Sequence, residues 1–102
     1  MAEFHKAASV TDLEPGGIIC VEVAGTRVAI YNLNGEFFAT SPSCTHVEAD
    51  LADGYIEDEE VVCPLHYATF NIRTGESTGP PADGDLTTYK VRVTGQDIEV
   101  EI

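Results

Sequence analysis

Ile18-Ile19-Cys20-Val21-Glu22-Val23, Ala24-Gly25-Thr26, Arg27-Val28-Ala29-Ile30-Tyr31-Asn32-Leu33, Asn34-Gly35, Glu36-Phe37-Phe38-Ala39-Thr40: divided in this way, residues 18–40 read as three strands and two turns. The strand segments are short and rich in β-branched and aromatic side chains, which suit a pleated, half-buried surface. Ala24-Gly25-Thr26 is a hairpin signal. Asn34-Gly35 is the strongest two-residue hairpin turn, because both of its central residues need positive φ. Near the C-terminus Tyr89, Val91 and Val93 alternate with Lys90 and Arg92. Thr94-Gly95-Gln96-Asp97 then turns the chain into Ile98, Val100 and Ile102, which alternate with Glu99 and Glu101. Period-two alternation marks strands with one buried face. The weak helical candidate is Val10–Glu14, before Pro15. The expected fold class is all-β, a small antiparallel sandwich or barrel.

The chain of 102 residues is expected to be one domain, with 43% hydrophobic and 23% charged residues, the balance of a soluble globular protein. No apolar run approaches the roughly 18 residues of a membrane span, and no charged segment precedes an apolar one near Met1. The expectation is a cytoplasmic protein that neither crosses a membrane nor carries a secretory leader. Eighteen acids against five bases give a formal charge of −13. Phosphate backbones are bound by displacing counterions with lysine and arginine, so nucleic acid and anionic membranes are poor partners. Proteins with basic patches suit this surface better.

The middle of the chain is different. Residues 41–54 read as a long loop. Tyr55–Glu57 and Val61–Cys63 look like a short hairpin closed over Glu57-Asp58-Glu59-Glu60, and residues 75–86 are a second irregular stretch. Long loops in a small domain usually carry function. Two motifs fall here: Cys44-Thr45-His46 and Cys63-Pro64-Leu65-His66, with 16 residues between His46 and Cys63. Two thiolates and two imidazoles, one pair on each loop, make a four-ligand metal site if the hairpin brings the loops to one end of the barrel. Cys20, on a strand, is expected to be buried core, and His5 has no ligating neighbour in the sequence. A tetrahedral structural zinc site would use the four ligands together. A [2Fe-2S] cluster would take the cysteines on one iron and the histidines on the other.

Cys-x-His, 16 residues and Cys-Pro-Leu-His is similar to the Rieske ligand signature. Asp53-Gly54-Tyr55, Phe70, Arg73-Thr74-Gly75, Gly79-Pro80-Pro81 and the closing Tyr89–Ile102 strand pair also resemble Rieske-type ferredoxins. The resemblance covers essentially the whole chain. It is nearest to the small ferredoxins of bacterial aromatic-ring-hydroxylating dioxygenase systems. It implies a Rieske fold over residues 1–102, with a cluster-binding subdomain of two ligand loops at about 41–81. Cys44 and Cys63 would hold the inner iron of one [2Fe-2S] cluster, and His46 and His66 the outer iron. Gly79-Pro80-Pro81 would form a third loop over the cluster. Respiratory-chain Rieske proteins add a disulfide between the ligand loops, but the matching positions here are Ala49 and Leu65. Their cluster-bonding serine and tyrosine are here Ala68 and Phe70. Hydrogen bonds to sulfur stabilise the reduced cluster, so their absence implies the low end of the Rieske range, about −150 mV. Tyr67 stands where the family often has a small residue.

The resemblance implies a one-electron carrier without catalytic residues of its own, passing electrons from an NAD(P)H-dependent flavin reductase to a terminal ring-hydroxylating oxygenase. Both encounters would be transient and the carrier a monomer. With His46 and His66 taken as ligands, His5 alone cannot build an oxygen-activating iron site of two histidines and a carboxylate. The alternatives are a small Rieske subunit of a nitrite-reductase-like complex, or a structural zinc module. Seven acids and no base lie from Glu48 to Glu60. They are expected to steer the cluster end toward basic rims on both partners.

Overall fold

Ala24 (φ 49°), Gly25 (82°), Asn34 (55°) and Gly35 (96°) all occupy the left-handed region, the backbone twist that two-residue hairpin turns demand. The computed structural model describes residues 3–43, 50–64, 67–79 and 84–102. Among them lie β1 (Phe4–Ser9), β2 (Ile18–Val23), β3 (Thr26–Leu33), β4 (Glu36–Thr40), β5 (Tyr55–Glu57) and β6 (Glu60–Val62). β7 (Thr69–Asn71), β8 (Ser77–Gly79), β9 (Thr88–Tyr89), β10 (Val91–Thr94) and β11 (Asp97–Glu101) follow. The candidate helix is a single 3₁₀ turn, Val10–Asp12, entered by a hydrogen bond from the Ser9 amide to the Asp12 carboxylate (3.0 Å).

The strands form three antiparallel sheets, ordered β1-β11-β10, β2-β3-β4-β9 and β5-β6-β7-β8. β3 explains how they stack. Ala29, Tyr31 and Leu33 pack in one core with Leu51, Val61, Phe70 and Ile72. Val28 and Ile30 pack in another with Ala8, Ile98 and Val100. The sheet holding β3 is therefore the middle layer, and β3 is buried from Val28 to Leu33 because both its faces are covered. An all-β architecture of antiparallel sheets stands as expected.

Several details differ from the sequence reading. Tyr89 pairs with Ala39 in the middle sheet, whereas Val91 pairs with Val100 in an outer one. The alternation from Tyr89 to Val93 thus belongs to two strands that part at Lys90. β6 starts and ends one residue earlier than the expected Val61–Cys63, and β1 and β7 are strands that the sequence reading does not include. β8 lies inside a stretch that reads as irregular: Ser77-Thr78-Gly79 has no apolar alternation because its strand is made by pairing with β7.

Candidate metal centre

Pairing places Tyr55 opposite Val62, Val62 opposite Thr69, and Thr69 opposite Gly79. These four residues form a row across one end of the β5–β8 sheet. Strand direction alternates, so β5 and β7 begin at this row and β6 and β8 end at it. Among the described residues, the chain just outside the row is 51–54, 63–64 and 67–68, which flank the two ligand motifs, and Gly79, where the Gly79-Pro80-Pro81 motif begins, stands in the row itself. Of the four ligand candidates, the described residues include Cys63. Cys44, His46 and His66, and Pro80-Pro81, lie outside the described residues.

The flanks are held firmly. The Leu51 amide donates to the Pro42 carbonyl (2.8 Å), and Ser43 bridges Asp50, closing the stem around the first motif. The Asp50 carboxylate accepts from the Ala52 amide (3.0 Å) and starts the 3₁₀ turn Leu51–Asp53. In the second motif the Cys63 amide donates to the Ala68 carbonyl (2.8 Å), and both residues are fully buried in the same core as Leu51. A Cβ on Gly54 would lie 2.0 Å from the Val62 carbonyl oxygen, so the first stem lies directly against the strand leading to Cys63. Glycine is needed there for space, because its φ of −90° suits any residue.

A soft, thiolate-bearing donor enters a buried neck at Cys63, and the first stem is pressed at Gly54 against the strand leading to it. With two imidazoles in the same pair of motifs, this donor set suits a cluster with mixed sulfur and nitrogen ligation. The residues present fit such a group.

Cys20 departs from the expected buried core. It is half-buried on β2, and Nη2 of Arg27, from β3, donates to its Sγ (2.8 Å) and to Oδ2 of Asp50 (3.2 Å). Burial pushes the Cys20 thiol up, Asp50 adds to the rise, and the Arg27 guanidinium offsets it only in part. Arg27 thereby adds a polar link between this sheet and the first stem to the apolar packing of Leu51 on Ala29, Tyr31 and Leu33. Sequence reading missed Arg27, Asp50 and the spatial reason for Gly54; only an Asp two residues before Ala52, an Asx-type turn signal, hinted at Asp50.

The acidic run also lies differently from expectation. A hairpin places its turn opposite its ends, so Glu57-Asp58-Glu59-Glu60 closes β5 and β6 at the end of the sheet away from the row. Two residue steps along the strands put it about 7 Å or more from the row. Glu59 pairs with Nε of Arg73, whose Nη2 reaches Glu36 (3.3 Å) and whose guanidinium stacks over Phe38 (4.9 Å). Arg73 thereby ties the far end of this sheet to β4. Of the described acids from Glu48 to Glu60, Glu57, Asp58, Glu59 and Glu60 therefore lie away from the ligand-loop end, whereas Asp50 and Asp53 belong to the stem at that end.

Residues 3–90 match the Rieske [2Fe-2S] domain family. The chain is 41% identical over 99 residues to the biphenyl dioxygenase ferredoxin subunit of Pseudomonas sp. strain KKS102, covering 96% of this chain and 91% of that protein. Its fold is similar to the ferredoxin of carbazole 1,9a-dioxygenase from Nocardioides aromaticivorans IC177, with TM-score 0.89, 33% identity and 95% of each chain covered. It is also similar, with TM-score 0.88 and 31% identity over 95% of this chain and 91% of the other, to a structure of reduced oxygenase in complex with oxidised ferredoxin in carbazole 1,9a-dioxygenase.

Proposed function

The chain belongs to the Rieske [2Fe-2S] domain family, and on that premise we propose that it is the ferredoxin component of an aromatic-ring-hydroxylating dioxygenase system. It carries single electrons and transforms no substrate itself. The observation that carries this reading is the row Tyr55–Val62–Thr69–Gly79, which brings the flanks of all the ligand motifs to one end of one sheet. In this reading residues 41–81 are the cluster-binding part of a single domain, with Cys44 and Cys63 on the inner iron and His46 and His66 on the outer. When bound, the cluster supplies one reversible electron at a potential raised by its two neutral imidazole ligands.

The chain's own residues give that centre its surroundings. Cys63 is held at a buried neck, and Gly54 lets the first stem close upon it. His46 and His66, as ligands of the outer iron, would form the exit toward a partner. The donor is an NAD(P)H-dependent flavoprotein reductase and the acceptor a terminal oxygenase, both bound transiently by a monomeric carrier in the cytoplasm. No helix among the described residues is long and apolar enough to cross a membrane. A carrier that dissociates each cycle suits a small interface, below about 1,200 Å².

The test is an electron paramagnetic resonance spectrum of the dithionite-reduced protein, followed by turnover with a reductase and an oxygenase. A rhombic signal with an average g below that of all-cysteine clusters, lost in His46→Ala and His66→Ala, is the expected result. A silent or colourless protein would return the zinc module. Purification as a stable stoichiometric complex would return the fixed-subunit reading.

A further inference from the structure

We propose that Tyr67 is the anchor residue through which this carrier docks onto its oxygenase, the ring entering an apolar socket edged by lysine or arginine. The inference rests on the electron-carrier reading above and adds a specific contact to it. Tyr67 has φ 59°, the left-handed conformation that suits glycine or asparagine and strains an aromatic residue. The residue is 70% exposed, more than Tyr55 or Val93, the other large exposed hydrophobic residues among those described. The fold thus gains little from the side chain and is strained by the backbone. A residue chosen for folding at this position would be glycine or asparagine.

Its place supplies the other half of the argument. Tyr67 lies inside the neck closed by the Cys63–Ala68 hydrogen bond, directly after the ligand candidate His66. Tyr55, 50% exposed, stands in the row at the same end of the sheet. Tyrosine is among the residues that anchor interfaces, because a rigid ring buries much area with few torsions to order. The socket's rim follows from charge. The chain is formally −13, and four of its five bases already face carboxylates: Lys6 with Asp97, Arg27 with Asp50, Arg73 with Glu36 and Glu59, and Arg92 with Glu99. The field around the anchor is therefore negative, and a basic rim complements it.

The experiment uses the whole carrier, loaded with its cluster and reduced by dithionite, mixed in stopped flow with oxidised oxygenase at rising concentration. For Tyr67→Asn we expect the half-saturating oxygenase concentration to rise about tenfold, while the limiting rate, the resonance spectrum and the reduction potential stay unchanged. Thermal stability should be equal or higher, because asparagine tolerates the left-handed backbone. Tyr67→Phe, which keeps the ring, should retain most of the affinity. Unchanged half-saturation in Tyr67→Asn would overturn the proposal. So would a shifted potential or spectrum in that variant, which would make the ring a shield for the ligand loop. If the unaltered protein shows no Rieske signal or passes no electron to the oxygenase, the carrier reading itself has failed, an outcome distinct from either.

Discussion

Arg27 on β3 and Asp50, beside the first ligand motif, are joined by an ion pair of 3.2 Å between Nη2 and Oδ2, although 23 positions separate them in the chain. The same carboxylate starts the turn Leu51–Asp53 with its other oxygen, so one side chain couples the middle sheet to the stem of the metal centre. Arg73 does the corresponding work at the far end of the β5–β8 sheet, reaching Glu36 on β4. The β5–β8 sheet is thus pinned to the middle sheet near both its ends.

Replacing Arg27 by Gln should hardly change thermal stability, since exposed ion pairs contribute little and are screened by salt. It should instead loosen the first stem, and the cluster's visible absorbance should decay several-fold faster in the presence of an iron chelator. Arg27→Lys should fall between the two, because an ammonium keeps the charge but its rotating N–H groups are not held toward thiol and carboxylate as those of the planar guanidinium are. Equal decay rates in all three proteins would show that the pair does not hold the stem.

Gly54→Ala tests the contact between the two stems. The added Cβ would stand 2.0 Å from the Val62 oxygen, and backbone must move to admit it. Apoprotein or a fast-bleaching protein is expected, measured as iron per chain after purification. Gly95→Ala is the control: φ is 63° but nothing lies within 4 Å of the new methyl. It should cost about 1 kcal/mol of stability and retain full iron.

Tyr31 and Thr40 form a fully buried hydrogen bond of 2.7 Å between their hydroxyls. The single Thr40 proton goes to the Ser41 carbonyl (2.8 Å), so Tyr31 is the donor in the pair. Thr40→Val would orphan a buried O–H and cost about 1–3 kcal/mol, whereas Tyr31→Phe would cost about 1 kcal/mol. Denaturant midpoints of the two variants should rank in that order.

The same tyrosine predicts alkaline behaviour. Burial pushes its phenol well above the ordinary value of 10.0, with the Thr40 hydrogen bond offsetting part of the rise. Above that value the unfolded chain releases the proton while the folded chain retains it, so the contribution is complete below pH 10 and is lost as pH rises. Stability should fall by up to about 1.4 kcal/mol per pH unit from this group. Unfolding curves between pH 9 and pH 11 should show a shallower loss in Tyr31→Phe.

Ala68 and Phe70 are both fully buried beside Cys63 and carry no hydroxyl to donate to sulfur. The reduction potential should therefore lie near −150 mV, the low end for Rieske centres. Ala68→Ser should raise it if the new hydroxyl reaches a sulfur. Voltammetry giving a potential above zero for the unaltered protein would remove the argument.

Much of this protein is determined within short stretches of its sequence. Ala24-Gly25 and Asn34-Gly35 need left-handed backbone, and that alone sets the β2–β3–β4 register. The cysteine and histidine motifs, together with Asp53-Gly54-Tyr55 and Gly79-Pro80-Pro81, carry the resemblance to the family, whereas the donor set alone suits zinc as well as a [2Fe-2S] cluster. Local patterns work here because turn geometry and side-chain alternation are settled by neighbours a few bonds apart. The tertiary structure decided the rest. β8 exists only because Thr69 and Phe70 offer it partners, and the run Tyr89–Val93 divides at Lys90 because two sheets compete for it. The acidic turn that sits between the ligand motifs in sequence lies at the opposite end of its sheet in space. Cys20 reads as core from its place on a strand, and the Arg27 guanidinium from the neighbouring strand is what sets it apart. Each of these depends on pairing across tens of residues, where the free energy comes from burial and contacts that no local pattern encodes.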